Sequence, residues 1–464
     1  MGILDVFARI GLAIPSAPRP AQRVPLGKRL LFTALVAMAY VALATTPLYG
    51  IETAGTRLPL SPIVSVVLAM RQGTLAQLGI GPIVTAGLIL QILVGAKIIK
   101  LDLTDPESRR KFTLASKGLA VLLSIVEAAG FVLSGIYWRS PNVDLTIKGF
   151  VLLQLVWGAI IIIMLDEAVQ KGWGLGSGIS LFILLGVAQA FFLDLLSPFE
   201  TQPIGALVAE HREIYGIIPF TIYSFLNGNT DLWYLFIGRG WFGYPTYMGL
   251  AATLALIFLL VYLSASRINV PITSPRLRGI RTRIPLQLLY VTNIPVLLTG
   301  ILLSDINLFL SLAQGALGVE TVNMIRAYLS PPSVYSFAVR PLQSIVYSAV
   351  FVALSIAFGI IWIEIAGLNP EAQAENLIRA GLEIPGMRRN PKILASYLAR
   401  YIYPLTVFSS ILVAVIALTG DIFRTFGTGT GLLLSVSILY NYYQMMVYER
   451  TLEMYPALKR LLGE

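Results

Sequence analysis

Apolar residues in this chain run in long unbroken blocks, and polar residues gather in the short stretches between them. A helix that is apolar on every side belongs in lipid or in a deep core. Crossing a hydrocarbon layer of about 30 Å takes about 20 such residues. Measured against that length, the pattern predicts ten spans: Leu30–Pro47, Leu75–Ile98, Leu114–Ile136, Ile147–Leu165, Ile179–Leu196, Met248–Leu263, Leu286–Leu308, Ile345–Ile365, Ile402–Leu418 and Leu432–Met446. One further run, Leu58–Met70, would reach only about 20 Å as a helix, and Pro59 and Pro62 interrupt its start. It is expected to be re-entrant or plug-like, since irregular backbone at membrane depth survives only inside protein or beside a wet cavity.

Two echoes divide these spans into halves. GPIVTAG (Gly81–Gly87) in the second span resembles IPVLLTG (Ile294–Gly300) in the seventh, and GLGSGISL (Gly174–Leu181) opening the fifth resembles GTGTGLLL (Gly427–Leu434) opening the tenth. The matches fall on spans two and five of each half. An odd number of spans per half makes the second half enter from the opposite side, which is an inverted-topology repeat. Glycines and prolines inside such segments permit close backbone approach and broken hydrogen bonds beside a central path.

Composition agrees with the pattern. The 464 residues are 56% hydrophobic and 12% charged, about half the charged share of a soluble domain. With the N-terminus inside, 25 of the 34 Lys and Arg fall on inner segments, so both termini are expected to be cytoplasmic. That rule alone accounts for the one-sided +10 charge. No cleavable signal peptide is expected. The chain has no cysteine, which excludes disulfides and thiolate chemistry. Its one histidine, His211, lies among charged neighbours in the outer segment and reads as a solvated surface residue.

Ionisable residues within spans are few: Glu127, Glu364, and Asp166, Glu167 and Asp305 near helix ends. They form no proton relay or ion filter. The glycine run Lys171–Gly178 lacks the strand and the lysine–hydroxyl pair of a phosphate loop. Around the breaks stand Ile80, Val84, Leu175, Ile179, Ile294 and Leu434, an aliphatic collar suited to a dry, stretchable constriction. Two inner loops are strongly basic. One carries Arg276, Arg278, Arg281 and Arg283, the other Arg388, Arg389 and Lys392. Arginines on stiff Pro/Gly-rich loops suit phosphate or carboxylate surfaces, lipid headgroups included.

LGIGPIVTAG (Leu78–Gly87), LDE with KGWGLGSGISLFI (Leu165–Glu167, Lys171–Ile183), TRIPLQLLYVTNIPVLL (Thr282–Leu298) and GTGTGLLLSVSILY (Gly427–Tyr440) make the whole chain resemble the SecY family of protein-conducting channels, in its archaeal/eukaryotic branch. The resemblance implies an all-α polytopic membrane protein with ten helices in two inverted halves of five around an hourglass pore. It assigns 1–29 to a cytoplasmic segment, 30–196 to the first half with a plug at about 54–70, 197–247 to an outer loop, 248–447 to the second half and 448–464 to a cytoplasmic tail. The six collar residues become its pore ring, and Thr85, Glu127 and Asn293 its lateral gate. The basic loops become contacts for cytoplasmic partners. The implied partners are a small single-span SecE-type subunit and a Sec-beta-type subunit in a heterotrimer, the ribosome, the signal recognition particle receptor, signal sequences and nascent chains, and membrane lipids. No cofactor, metal or bond chemistry is implied. The implied location is the plasma membrane of a prokaryote, in keeping with the archaeal branch. A secondary transporter with inverted repeats is the rival expectation; a scramblase or insertase would keep the gate but lack collar and plug.

Overall fold

The computed structural model describes residues 3–22, 24–52, 69–95, 98–99, 101, 105–134, 137–138, 143–201, 213–228, 231–274, 280–291, 293–313, 317–379 and 390–454. Its helices in chain order are α1 (Ile3–Ala13), α2 (Leu26–Thr45), α3 (Gly81–Gly95), α4 (Pro106–Leu133), α5 (Leu145–Ala168), α6 (Gly178–Leu196), α7 (Ile217–Leu226), α8 (Leu232–Phe236), α9 (Tyr247–Ala265), α10 (Ile294–Leu312), α11 (Val319–Tyr328), α12 (Val334–Val339), α13 (Pro341–Ile365), α14 (Pro370–Arg379), α15 (Pro391–Ile422) and α16 (Gly429–Met454). A helix stands at each of the ten predicted runs, and among the described residues seven helical stretches are long and apolar enough to cross a membrane.

Local chemistry sets the boundaries. Asp105 accepts from Ser108 N and Pro106 opens α4, so that helix starts well before its apolar run. Asp144 caps α5, Thr246 caps α9 and Asn390 caps α15 in the same way. Two helices start later than expected. Residues 74–80 form successive turns, with Gly79 at φ +54°, so α3 begins only at Gly81. Leu286 and Gln287 belong to a strand, so α10 begins at Ile294.

That strand gives the expected stiff basic loop a definite form. β3 (Arg267–Ser274) pairs antiparallel with β4 (Ile280–Gln287), matching Ile268 to Leu286, Val270 to Ile284 and Ile272 to Thr282. The sequence alternates β-branched residues at period two here, which suits a ribbon. A two-stranded ribbon consists only of edges, so Pro271 and Pro285 are admissible in it.

The described parts of 197–247 also form regular elements. β1 (Glu200–Thr201) pairs with β2 (Glu213–Ile214), and α7, α8 and a 3₁₀ turn at Gly238–Phe242 follow. Fully buried Arg239 is common to these pieces. It meets Glu213 at 3.3 Å, donates to the Ile214 and Pro245 carbonyls, and lies 3.7 Å from the Phe220 ring centroid.

Two main cores follow the two halves. Tyr40, Phe131, Leu155 and Phe182 belong to one; Leu256, Phe351 and Val413 to the other. α16 serves both, because Leu434 joins the first core while its neighbour Leu433 joins the second. The start of α2 and the end of α16 share one face of the bundle: Arg29 pairs with Glu449 at 2.6 Å.

Candidate functional site

Each collar residue sits at the beginning of a helix. Ile80 immediately precedes α3 and Val84 lies in its first turn; Leu175 and Ile179 flank the start of α6; Ile294 opens α10; Leu434 is in the second turn of α16. Ile80, Leu175 and Leu434 are buried, the other three half-buried. Ile80 and Leu434 belong to one apolar cluster, with Val84 and Ile179 packed against it. Leu175 and Ile294 lie outside that cluster, so the structure brings four of the six together there.

The backbone at these starts is unusual and well tied. A π-helical turn at Val169–Trp173 precedes α6, with Gly172 at φ +101° and Gly176 at φ +72°. Such angles favour glycine, which explains this glycine run without any phosphate. The run is held from both halves. Arg29 Nε donates to Gly174 O at 3.1 Å, Leu175 N donates to Thr33 Oγ1 at 2.9 Å, and Tyr442 of α16 donates to Ser177 O at 3.1 Å. Beside it opens a cavity of about 540 Å³ lined by Gln170, Gly176, Ser180, Asn441, Tyr442 and Met445. The loop before α16 has Gly427 and Thr428 at positive φ, and Gly427 N donates to Asp194 Oδ2 at the end of α6.

The halves also meet along a seam, where α3 touches α10 and α13, and α4 touches α10. Thr85 Oγ1 is buried facing the Asp305 carboxyl without closing a hydrogen bond to it. Glu127 of α4 also feels Asp305 across the seam. Asn293, buried at the head of α10, donates to Leu433 O at 3.0 Å and so joins α10 to α16. Asp305 was legible only as a residue near a helix end, since nothing local pairs it with Thr85.

The expected plug lies largely outside the described residues; only Ala69 and Met70 of it are described, both buried. Tyr40 donates to Ala69 O at 2.7 Å, and Leu48 N donates to Gly73 O at 2.9 Å, so the described residues 48 and 69–73 are tied together and to α2. Arg276, Arg278, Arg388, Arg389 and His211 lie outside the described residues. Arg281 and Arg283 belong to β4, and Lys392 to the first turn of α15.

Sequence reading missed a strap on the terminal face. Lys117, buried on α4, donates to Pro15 O at 2.9 Å and pairs with Glu167 at 2.7 Å. Glu167 also pairs with Lys171 at 2.6 Å and accepts from Ser16 Oγ at 2.9 Å. A basic residue of unlike environment among span-flanking lysines carries no sequence signal for this.

The SecY family model matches residues 74–443. The chain is similar to the protein translocase subunit SecY of Aeropyrum pernix, 48% identical, over 100% of this chain and 99% of that protein. It is similar, at 32% identity and TM-score 0.75, to a SecY structure described as having a plug domain that stabilises the closed state and maintains a membrane seal. It is also similar, at 32% identity and TM-score 0.73, to Sec61 in the canine ribosome–channel complex from the endoplasmic reticulum. Each of these two matches covers 98% of this chain and 99% of the other.

Proposed function

The chain belongs to the SecY family, and from that premise we propose that it is the pore-forming subunit of a protein-conducting channel, which passes secretory polypeptides across a membrane and releases apolar helices sideways into lipid. The observation that carries this reading is the convergence of helix starts bearing aliphatic side chains at the junction of two inverted halves. A collar of Ile80, Val84, Leu175, Ile179, Ile294 and Leu434 offers a passing chain no hydrogen bonds and no charge. It therefore resists ions by dewetting and yields to a polypeptide by side-chain movement. The seam supplies the exit: an apolar helix that reaches it gains free energy by passing from water into lipid. Thr85, Glu127 and Asn293 are the polar groups that would line this exit, with Asp305 facing the first two.

The buried carboxylates argue against a transporter. Asp166, Asp194 and Asp421 each accept from backbone amides and hold the helix starts, rather than forming a relay. Movement needs an external drive, because the collar has no group for bond chemistry.

The remaining assignments complete the proposal. The plug at about 54–70 would seal the resting path. The ribbon β3–β4 and the segment around Arg388, Arg389 and Lys392 would meet the ribosome or the signal recognition particle receptor on the cytoplasmic face. Small SecE-type and Sec-beta-type subunits would complete a heterotrimer in the plasma membrane, with both chain termini inside.

The test places photo-crosslinkers singly at Ile80, Ile294 and Leu434 and stalls a secretory nascent chain on ribosomes bound to membranes holding the protein. Crosslinks from all three positions to the mature part of the chain are expected. A nascent chain that never touches them, with a small labelled solute carried instead, would overturn the reading.

A further inference from the structure

Two buried aspartates occupy matching places in the two halves. Asp166 is in the last turn of α5 and Asp421 in the last turn of α15, the fourth span of each half. Asp166 Oδ1 accepts from Ile179 N at 2.9 Å and also faces the Gly178 amide, while its Oδ2 accepts from Gln170 Nε2 at 2.8 Å. Asp421 Oδ1 accepts from Gly429 N at 2.9 Å and also faces the Thr430 amide. Each carboxylate thus captures the first amides of the helix that follows, α6 in one half and α16 in the other. The first amides of a helix have no partner of their own, and negative charge is favoured at that end. Ser177, the residue in the N-cap position of α6, makes no side-chain cap, so the preceding span supplies it.

A glycine stands first in both helices, and both are there for contact. A Cβ on Gly178 would lie 2.5 Å from Asp166 Cα. A Cβ on Gly429 would strike the Ala417 carbonyl and Gly420 Cα in α15. Only with the two backbones this close does the short aspartate arm reach the amides.

We propose that Asp166 and Asp421 are equivalent positioning residues that fix the height and rotation of α6 and α16, and with them the places of Ile179 and Leu434 in the collar. The functional meaning of this proposal rests on the pore reading above; the caps themselves rest on geometry. Slipping a helix by one residue moves it about 1.5 Å and turns it about 100°. Such a slip would swing Leu434 out of the cluster it shares with Ile80. Because the repeat is inverted, the two caps act from opposite faces of the bundle. α6 starts on the face where Arg29 meets Glu449, whereas α16 ends there. The collar is therefore suspended between two anchored helix starts.

Full-length protein, purified with its co-purifying subunits, tests this. The chain has no cysteine, so spin labels attach only at introduced ones. Exposed Ile161 and Phe192 report α5 against α6, and exposed Val415 and Tyr443 report α15 against α16, by pulsed electron paramagnetic resonance. Asp166→Ala and Asp421→Ala are each expected to shift or broaden the distance across their own helix pair and to leave the other pair unchanged. Asp166→Asn and Asp421→Asn keep an oxygen for the amides and are expected to restore the parental distribution, which a loss of general stability would not predict. If an alanine variant is not monodisperse, Asp166→Glu or Asp421→Glu, whose arm is one methylene too long, carries the same expectation in milder form. Unchanged distances in the alanine or glutamate variants would overturn the proposal, as would shifts that asparagine does not reverse. Ion leak from proteoliposomes separates this from the pore reading. Shifted helices in vesicles that stay tight would support the caps and count against the collar.

Discussion

Arg239 shows what single residues hide. A sequence places it in a polar outer segment, yet the fold buries it completely. Its guanidinium meets Glu213 at 3.3 Å, donates to Ile214 O at 2.6 Å and lies over the Phe220 and Tyr244 rings. Tyr234 adds a 2.6 Å donation to Glu213, and burial first and that carboxylate second hold its phenol above the ordinary range, so it stays a donor. Burial likewise raises the Tyr215 phenol, aided by the Asp194 carboxylate to which it donates at 3.0 Å. Arg239→Ala leaves Glu213 half-satisfied and opens a cavity between rings. A loss toward the lower end of about 3–5 kcal/mol is expected, seen as a lowered thermal midpoint in detergent. Arg239→Lys is expected to recover little of it, since a point charge cannot reproduce the planar fork and the stacking. A midpoint equal to the parent in both variants would show this network to be dispensable. The breaks beside which the proposed collar residues stand were legible for the opposite reason, although the choice of all six rests on the family resemblance. Their neighbours are glycines and prolines, and those residues announce broken backbone from sequence alone.

Among the elements, the long apolar helices were the legible ones, because unbroken hydrophobicity is a signal that survives any tertiary context. Starts and ends were less so. Asp105 and Pro106 extend α4 beyond its apolar run, and the turns at 74–80 delay α3. Neither effect changes hydropathy. α1 falls within 1–29, expected only as a cytoplasmic segment, since a short helix with no partner in view gives no span-length signal. Its partner is α4. The two approach until a Cβ on Gly118 would strike the Phe7 carbonyl and one on Gly11 the Leu114 carbonyl. Asp5 and Lys111 add an ion pair at 2.5 Å. Gly118→Val is therefore expected to release α1 while leaving α4 helical. Deuterium exchange in residues 3–13 should rise by at least tenfold, with 119–133 unchanged, which is about 1.4 kcal/mol of lost docking. Protection retained in α1 would show that the contact is not tight. The strap at 14–18 is a separate attachment. Lys117→Met removes its central donor, but Glu167 keeps Lys171 at 2.6 Å. A smaller loss of about 1–3 kcal/mol is expected there, read as faster proteolysis within residues 14–22 and no change in α1 exchange.

At the scale of the molecule, polar ties between the halves gather on one side. Arg29 pairs with Glu449, Tyr442 holds Ser177 O, and Gly427 N reaches Asp194. All three join α2, α6 or the turn before α6 to α16 or the loop before it. A separate edge between the lobes is the seam of α3 and α4 against α10 and α13, where Asp305 faces both buried Thr85 and a second carboxyl, Glu127. At the tied edge one salt bridge and hydrogen bonds to backbone oppose separation; at the seam Thr85 and Asp305 face each other without closing a hydrogen bond. A two-lobed body bound along one edge opens along the other. This division was partly legible: the inverted echoes gave two lobes, but which edge is tied depends on residues hundreds of positions apart. Opening along the seam can be tested by locking it. Thr85→Cys with Asp305→Cys, in a chain that has no cysteine of its own, places one thiol on each lobe where the side chains already face each other. Oxidation, or a short bis-maleimide where disulfide geometry is not met, should join them. The locked protein is expected to lose lateral insertion of an apolar helix by at least tenfold, about 1.4 kcal/mol or more in the step that parts the lobes. Reduction of the disulfide should restore it, and either single cysteine should have no effect under the same oxidation. Insertion that proceeds through a fully locked seam would mean that substrates leave by another route, and that the tied edge, rather than this one, is where the lobes part.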